Sequence, residues 1–243
     1  LGKKRADVVL VERGLFDSRA KARAAIEAGG VSVAGRTVSK PSDLIDDDAP
    51  IQAAAAHPYV GRGALKLVHA LELWPILVEG RTVLDVGAST GGFTEVCLQH
   101  GAARVYAVDV GRGQLHPKLA GDSRVVGLEG VDARTLTPHL IPVAPDLIVT
   151  DVSFIGLAKA LPAALALAAG GADLVALVKP QFEVGPGHVG KGGLVKDDAA
   201  RRRALDDVSA FLTGTGWAVL QVADSPIAGG DGNHEYLLWA RRP

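Results

Sequence analysis

The sequence predicts an α/β protein in two parts: a small basic α+β module over residues 1–57, then a domain over 58–243 built on a parallel sheet with helices on both faces. Three observations predict it. Apolar runs at 82–86, 104–109, 124–129, 146–151 and 173–179 alternate with helical stretches, the rhythm of strands buried on both faces. Acids stand at or near the ends of the first four runs (Asp85, Asp109, Glu129 with Asp132 just after, Asp151), and Lys179 ends the fifth. In such sheets the ligand lies at the carboxyl ends of the strands, so this repetition points to a site. Charge divides the chain as well: residues 1–42 hold nine basic side chains against four acidic ones, a net of +5, and the remaining 201 residues carry −6. The whole-chain value of −1 describes neither part. A basic module on an acidic body suggests an appendage that contacts nucleic acid, the plain alternative being an ordinary solvated helical surface.

Within the module, residues 6–13 read as a short helix with Val8, Val9 and Leu10 inward, stopped by Gly14. Asp17 or Ser18 caps a second helix that ends at Gly29-Gly30, and Arg19 and Arg23 share a face of it. The alternation of VSVAGRTV from Val31 predicts a hairpin turning at Ala34-Gly35, with a further strand near Ile51. Residues 53–58, closing on His57-Pro58, read as a linker. This order, with the segment AGGVSVAGRTVSKPSDLI, resembles the S4-like RNA-binding module that often precedes RNA-modifying enzymes. The resemblance makes Lys3, Lys4, Arg5, Arg19, Arg23 and Lys40, with Arg62 just past the boundary, the expected RNA-binding residues.

The first strand of the larger domain runs into LDVGASTGGFTE, where Gly87, Gly91 and Gly92 let the backbone pass close to a ligand and enter a helix at Phe93. A dinucleotide fingerprint reads G-x-G-x-x-G; here position 89 is Ser and the pattern is D-x-G-x-x-x-G-G. Asp85 would repel a diphosphate but attract, directly or through water, a cationic ligand such as the amino-acid end of S-adenosylmethionine. Asp109 is placed to accept both ribose hydroxyls. Together with Asp132 these acids favour S-adenosylmethionine over a nicotinamide dinucleotide, and a dehydrogenase is the disfavoured reading.

The segments LDVGASTGGFTEVCLQHGAARVYAVDVGRGQL, DLIVTDVSFI, LVKPQFEVG and GNHEYLLW, with the N-terminal module, closely resemble the TlyA family of ribosomal RNA 2'-O-methyltransferases over nearly the whole chain. The second domain is also similar to the wider FtsJ group, whose members use a Lys-Asp-Lys-Glu tetrad. The resemblance implies a Rossmann-like methyltransferase fold that uses S-adenosylmethionine to methylate a ribose 2'-hydroxyl, that of cytidine, in ribosomal RNA. It also implies a cytoplasmic enzyme. The chain ends right after its last expected strand, without the tail of longer members, so the large subunit is expected ahead of the small one. No membrane and no protein partner is expected. A haemolysin label carried by some relatives implies pore formation, against which the lack of a spanning segment speaks: the longest apolar run, 160–172, contains Pro162 and two glycines. No secretory signal is read at the N-terminus.

The tetrad maps onto Lys66, Asp151, Lys179 and Glu235. Lys179 closes an apolar strand, where a Lys is rare unless its ammonium reaches a partner or a cleft, a snorkelling edge Lys being the alternative. Asp151 ends the adjacent strand and is expected to meet it. Glu235 stands before an apolar run. Lys66 lies in 63–73, which also reads as a plain amphipathic helix exposing one Lys. Lys179 is expected to stabilise the alkoxide that develops on the ribose oxygen or, in neutral form, to accept its proton. Asp151 would hold Lys179 and the methyl donor, and Lys66 with Glu235 would orient the ribose. Gly87, Ser89, Thr90, Gly91, Gly92, Phe93, Asp85 and Asp109 are expected around the donor, with Asp132 at its adenine. Phe154 is read as packing near the donor or a flipped base, or in the core.

No metal is expected, because the cofactor carries the leaving group and the seven histidines show no paired ligand spacing. Cys97 reads as a buried, inert thiol. The segment 185–193 is a candidate substrate lid with Lys191 available for phosphate, a simple mobile loop being the alternative, and Arg201, Arg202 and Arg203 read as a face paired with neighbouring aspartates. The reading from another class is a non-catalytic RNA-binding or assembly factor that retains the fold; intact tetrad positions speak against it.

Overall fold

Ser18 begins the longer helix of the N-terminal part, its hydroxyl accepting a hydrogen bond from the Lys21 N–H at 3.3 Å. The computed structural model describes residues 2–229 and 232–243, and the chain divides into two units, Leu1–Pro58 and Tyr59–Pro243. The first holds β1 (Lys3–Arg5), α1 (Ala6–Glu12), α2 (Arg19–Glu27), β2 (Val31–Val33), β3 (Arg36–Thr37), β4 (Leu44–Asp46) and β5 (Ile51–Ala53). Strand β2 pairs antiparallel with β3 and β5, and β1 with β4. The β2–β3 turn puts Ala34 at φ 47° and Gly35 at φ 78°, the left-handed pair that matches a hairpin's twist. The side chains of Val9, Leu10, Ala25, Ile26, Val31 and Ile45 make one small core.

Two details depart from the sequence pattern. Val8 is only half-buried, and Asp7 beside it is buried. Its carboxylate accepts from Arg5 at 3.0 and 3.2 Å and from Arg19 at 2.8 Å; the Arg5 hydrogen bonds, joined by Arg19, outweigh burial and hold it down at about 2. Lys4 likewise reaches Glu12 at 2.8 Å. Part of the basic surface that the charge count offers to RNA is therefore engaged within the unit, while Lys3, Arg23 and Lys40 stay exposed. Strand β1 escapes the sequence pattern because its Lys-Lys-Arg has no apolar alternation; pairing with β4 extends it.

The second unit holds α3 (Ala64–Leu73), β6 (Thr82–Val86), α4 (Gly92–Gln99), β7 (Arg104–Asp109), α5 (Pro117–Ala120), β8 (Val125–Glu129), β9 (Leu147–Thr150), α6 (Leu157–Ala160), α7 (Pro162–Leu167), β10 (Asp173–Val178), α8 (Pro180–Glu183), α9 (Asp198–Gly214), β11 (Ala218–Asp224) and β12 (Tyr236–Arg241). Its seven-stranded sheet runs β11-β12-β10-β9-β6-β7-β8. Strands β6 to β10 are parallel, and β12 lies antiparallel between β10 and β11. Successive strand residues point to opposite faces: Val83 and Leu147 join the core under α3 and α4, Leu84 and Ile148 the core under α6, α7 and α9. This two-sided burial is why the strands read as apolar runs. At the start of β10, the buried Asp173 carboxylate accepts from Arg81 at 2.7 Å, Trp239 Nε1 at 2.8 Å and Arg241 at 2.9 Å, tying β10 to β12.

Strand β6 pairs with both β7 and β9, so the chain order reverses there, the point at which a crevice forms above the carboxyl ends of such strands. Along α9, Arg201 pairs with Asp198, and Arg203 lies 3.9 Å from Asp197, a solvated paired face. No helix among the described residues is long and apolar enough to cross a membrane.

Candidate active site

A cavity of about 1110 Å³ occupies that crevice. Its wall is built from the segments that follow the parallel strands, and Gly87, Ser89, Asp109, Asp132, Asp151 and Phe154 all belong to it. Gly87 sits at φ 86°, where an added Cβ would stand 2.7 Å from the Asp151 carbonyl oxygen, so only glycine lets the two loops pass this closely. Ser89, at φ 49°, turns its N–H to Asp109 Oδ2 at 2.8 Å, and Gly111 donates to Asp109 Oδ1 at 2.7 Å. Each of these carboxylate oxygens keeps further lone-pair capacity for a ligand hydroxyl. Asp132 holds Arg134 at 2.5 Å, and this hydrogen bond keeps its carboxyl below the usual range.

Five residues expected around a donor support this wall from behind. Phe93 is in the core, 4% exposed. Gly92 lets α4 approach α3: an added Cβ would lie 3.1 Å from the Ala64 nitrogen. Gly91, at φ 100°, has the Leu119 side chain where a Cβ would go, and Thr90 Oγ1 lies against Gly61. Asp85 is wholly buried, which excludes direct contact with a ligand's amino group. Thr94 Oγ1 donates to Asp85 Oδ2 at 2.7 Å, whereas Oδ1 has no hydrogen-bond partner among the described residues. Asp85 and Phe93 are thus reassigned from the ligand's wall to its foundation, because the loop crosses above them.

Burial pushes the Asp85 carboxyl up to about 7. Between its ordinary value and about 7 the folded chain keeps a proton that the unfolded chain has lost. The stability it contributes is therefore full at acid pH and is lost as pH rises through that window, at up to about 1.4 kcal/mol per pH unit. Asp85→Asn is expected to flatten this slope, checked by denaturant unfolding of both proteins from pH 5 to 8. Parallel slopes would contradict it.

Four charged side chains meet beside the cavity. Lys66 comes from the first turn of α3, Asp151 follows β9, Lys179 follows β10, and Glu235 precedes β12. Lys66 Nζ lies 2.5 Å from Glu235 Oε2 and 3.9 Å from Asp151 Oδ2; Lys179 Nζ lies 2.5 Å from Asp151 Oδ1. The signs alternate through the group and sum to zero, the condition under which ions tolerate burial. Lys66 is 6% exposed and Lys179 9%, so neither the exposed-helix reading of Lys66 nor the snorkelling reading of Lys179 holds.

Phe154 is 92% exposed at φ 66°, its ring 5.2 Å from that of Phe182, which removes it from the core. Arg62, exposed, donates to the Ala228 carbonyl at 2.5 Å. Sequence reasoning passed over three residues next to its own motifs. Ser153 accepts from Lys179 Nζ at 3.0 Å. Glu183 accepts from the Leu157 N–H at 2.9 Å, fixing the far end of the loop that starts at Asp151. Asn233 accepts from the Val195 N–H at 2.9 Å and donates to the Gly193 carbonyl at 2.8 Å, anchoring the end of the glycine-rich segment close to Glu235 in the chain. The only signal for them was proximity to VTDVSF, KPQFE and GNHEY.

Residues 59–242 match the model of FtsJ-like methyltransferases, and residues 4–51 that of the S4 domain. A Mycobacterium tuberculosis protein named 16S/23S rRNA (cytidine-2'-O)-methyltransferase TlyA is 49% identical over 239 residues, 98% of this chain and 89% of its own length. A Campylobacter jejuni protein named 23S rRNA (cytidine-2'-O)-methyltransferase TlyA is 36% identical over 82% of this chain and 77% of its own. A solved Streptococcus thermophilus structure, described as a hemolysin, is similar with a TM-score of 0.79 at 40% identity, covering 99% of this chain and 89% of that one.

Proposed function

The chain belongs to the TlyA family of FtsJ-like methyltransferases, and we propose that it methylates a ribose 2'-hydroxyl, that of cytidine, in ribosomal RNA of the large subunit. The 2'-hydroxyl exists only in RNA, and both named relatives carry 23S in their names, which supports this substrate. The observation that carries the reading is the buried alternating group Glu235–Lys66–Asp151–Lys179 at the edge of a cavity large enough for a nucleoside donor. Residues 1–57 act as the RNA-docking part and 58–243 as the methyltransferase, working in the cytoplasm.

The cavity fits S-adenosylmethionine: Gly87 gives backbone access, and both Asp109 oxygens retain lone pairs for the ribose hydroxyls. Gly87, Ser89 and Asp109 would hold the donor, with Asp132 at its adenine. Bound there, it supplies an activated methyl group with a built-in leaving group. The protein's own task is then charge. Lys179 stabilises the negative charge that develops on the acceptor oxygen as its proton departs, and Asp151 holds Lys179 in place. Lys66 and Glu235 fix the Asp151 side from behind and orient the ribose.

The test incubates the purified protein with methyl-labelled S-adenosylmethionine and unmodified large and small ribosomal subunits. Label is expected on a cytidine 2'-oxygen of large-subunit RNA. Label on a base, or none on either subunit, would overturn the proposal.

A further inference from the structure

An ammonium presents three N–H donors in a tetrahedral array, so a hydrogen bond that fixes one of them sets the directions of the others. Two groups from a single short segment meet Lys179 Nζ: Asp151 Oδ1 at 2.5 Å and Ser153 Oγ at 3.0 Å. The other charges of the group face it only through Asp151, with Lys66 Nζ 3.9 Å from Oδ2 and Glu235 beyond Lys66 at 2.5 Å. Lys179 is 9% exposed, whereas Ser153 is exposed and forms part of the cavity wall together with Asp151. Ser153 thus joins the ammonium to the cavity wall through a hydrogen bond.

Ser153 is also held firmly. Right after it the chain turns through Phe154 at φ 66°, a conformation an aromatic residue adopts only under constraint, and Glu183 grips the end of the loop through the Leu157 N–H at 2.9 Å. We infer that Ser153 is a positioning residue for Lys179: by accepting a hydrogen bond from Nζ while Asp151 holds the ammonium through the ion pair, it sets the direction in which the remaining N–H donors face the ribose oxygen. This role rests on the methyl-transfer reading above.

The test uses the full-length protein, large ribosomal subunits and labelled S-adenosylmethionine, comparing Ser153→Ala, Ser153→Thr and Lys179→Ala. Ser153→Ala is expected to lower kcat about tenfold, the scale of one lost hydrogen bond to a charged group. KM for the subunits and the calorimetric Kd for S-adenosylmethionine should stay unchanged, and Ser153→Thr, which keeps the hydroxyl, should restore kcat. A merely structural serine would give no such split between kcat and KM and no rescue by threonine. Ser153→Ala at wild-type kcat beside an inactive Lys179→Ala would overturn the role of Ser153 alone. Undiminished transfer by Lys179→Ala would overturn the methyl-transfer reading and this role with it.

Discussion

Lys179→Ala is expected to lower kcat for methyl transfer by about 10²–10⁴-fold while leaving the affinity for S-adenosylmethionine unchanged. The acceptor alcohol must shed its proton as the new bond forms, and the charge that grows on its oxygen is strongest in the transition state. A cation fixed in advance by Asp151 at 2.5 Å and Ser153 at 3.0 Å meets that charge without reorganising, which is where such groups act most strongly. Gly87 and Ser89, in the loop after β6, and Asp109, at the end of β7, would hold the donor and form no hydrogen bond or ion pair with Lys179, which follows β10, so donor binding should survive the substitution. Steady-state kinetics with labelled donor, paired with calorimetric titration, separate the two quantities. Retained transfer with normal donor binding would remove Lys179 from the reaction.

Lys66→Ala should act first on stability. Glu235 is 2% exposed and its carboxylate has Lys66 Nζ at 2.5 Å; losing that partner leaves a buried charge uncompensated, at a cost of about 3–5 kcal/mol. The double replacement Lys66→Met with Glu235→Met removes both charges together and should recover most of that loss, because well-packed apolar residues replace a buried pair at little cost. Denaturant midpoints of the three proteins at neutral pH decide it. A double variant as unstable as Lys66→Ala would mean that the helix packing around position 66, and not the ion pair, sets the stability. Activity should stay low in both variants, since Asp151 loses the cation 3.9 Å from its Oδ2.

The same two lysines show unequal legibility. Lys179 stood out because a charge at the end of an apolar strand is anomalous wherever the strand lies in the sheet. Lys66 did not, because one lysine on an amphipathic helix is commonplace until its partner, 169 residues away, is known. Asp85 misled in the opposite direction. A carboxylate ahead of a glycine-rich turn looks ready for a ligand, but the loop passes over it and Thr94 takes one of its oxygens. Arg5 and Arg19 looked free for RNA until Asp7, folded beneath them, took both.

What the sequence determined by itself was periodic or local: the five parallel strands, the two-part charge division, the capped second helix, the hairpin at Ala34-Gly35 and the motif residues at strand ends. Period and capping are properties of neighbours in the chain, so they can be read from it. What only the tertiary structure decided was which side chains share a space: Lys66 with Glu235, Ser153 with Lys179, Asp109 with the Ser89 N–H, and Asp85 with no outlet to the cavity. Those distances follow from the strand order β12-β10-β9-β6 and from α3 packing against α4, and burial sums over every element around an atom. No local pattern carries that sum, which is why the four charged residues were named in the sequence but their wiring was not.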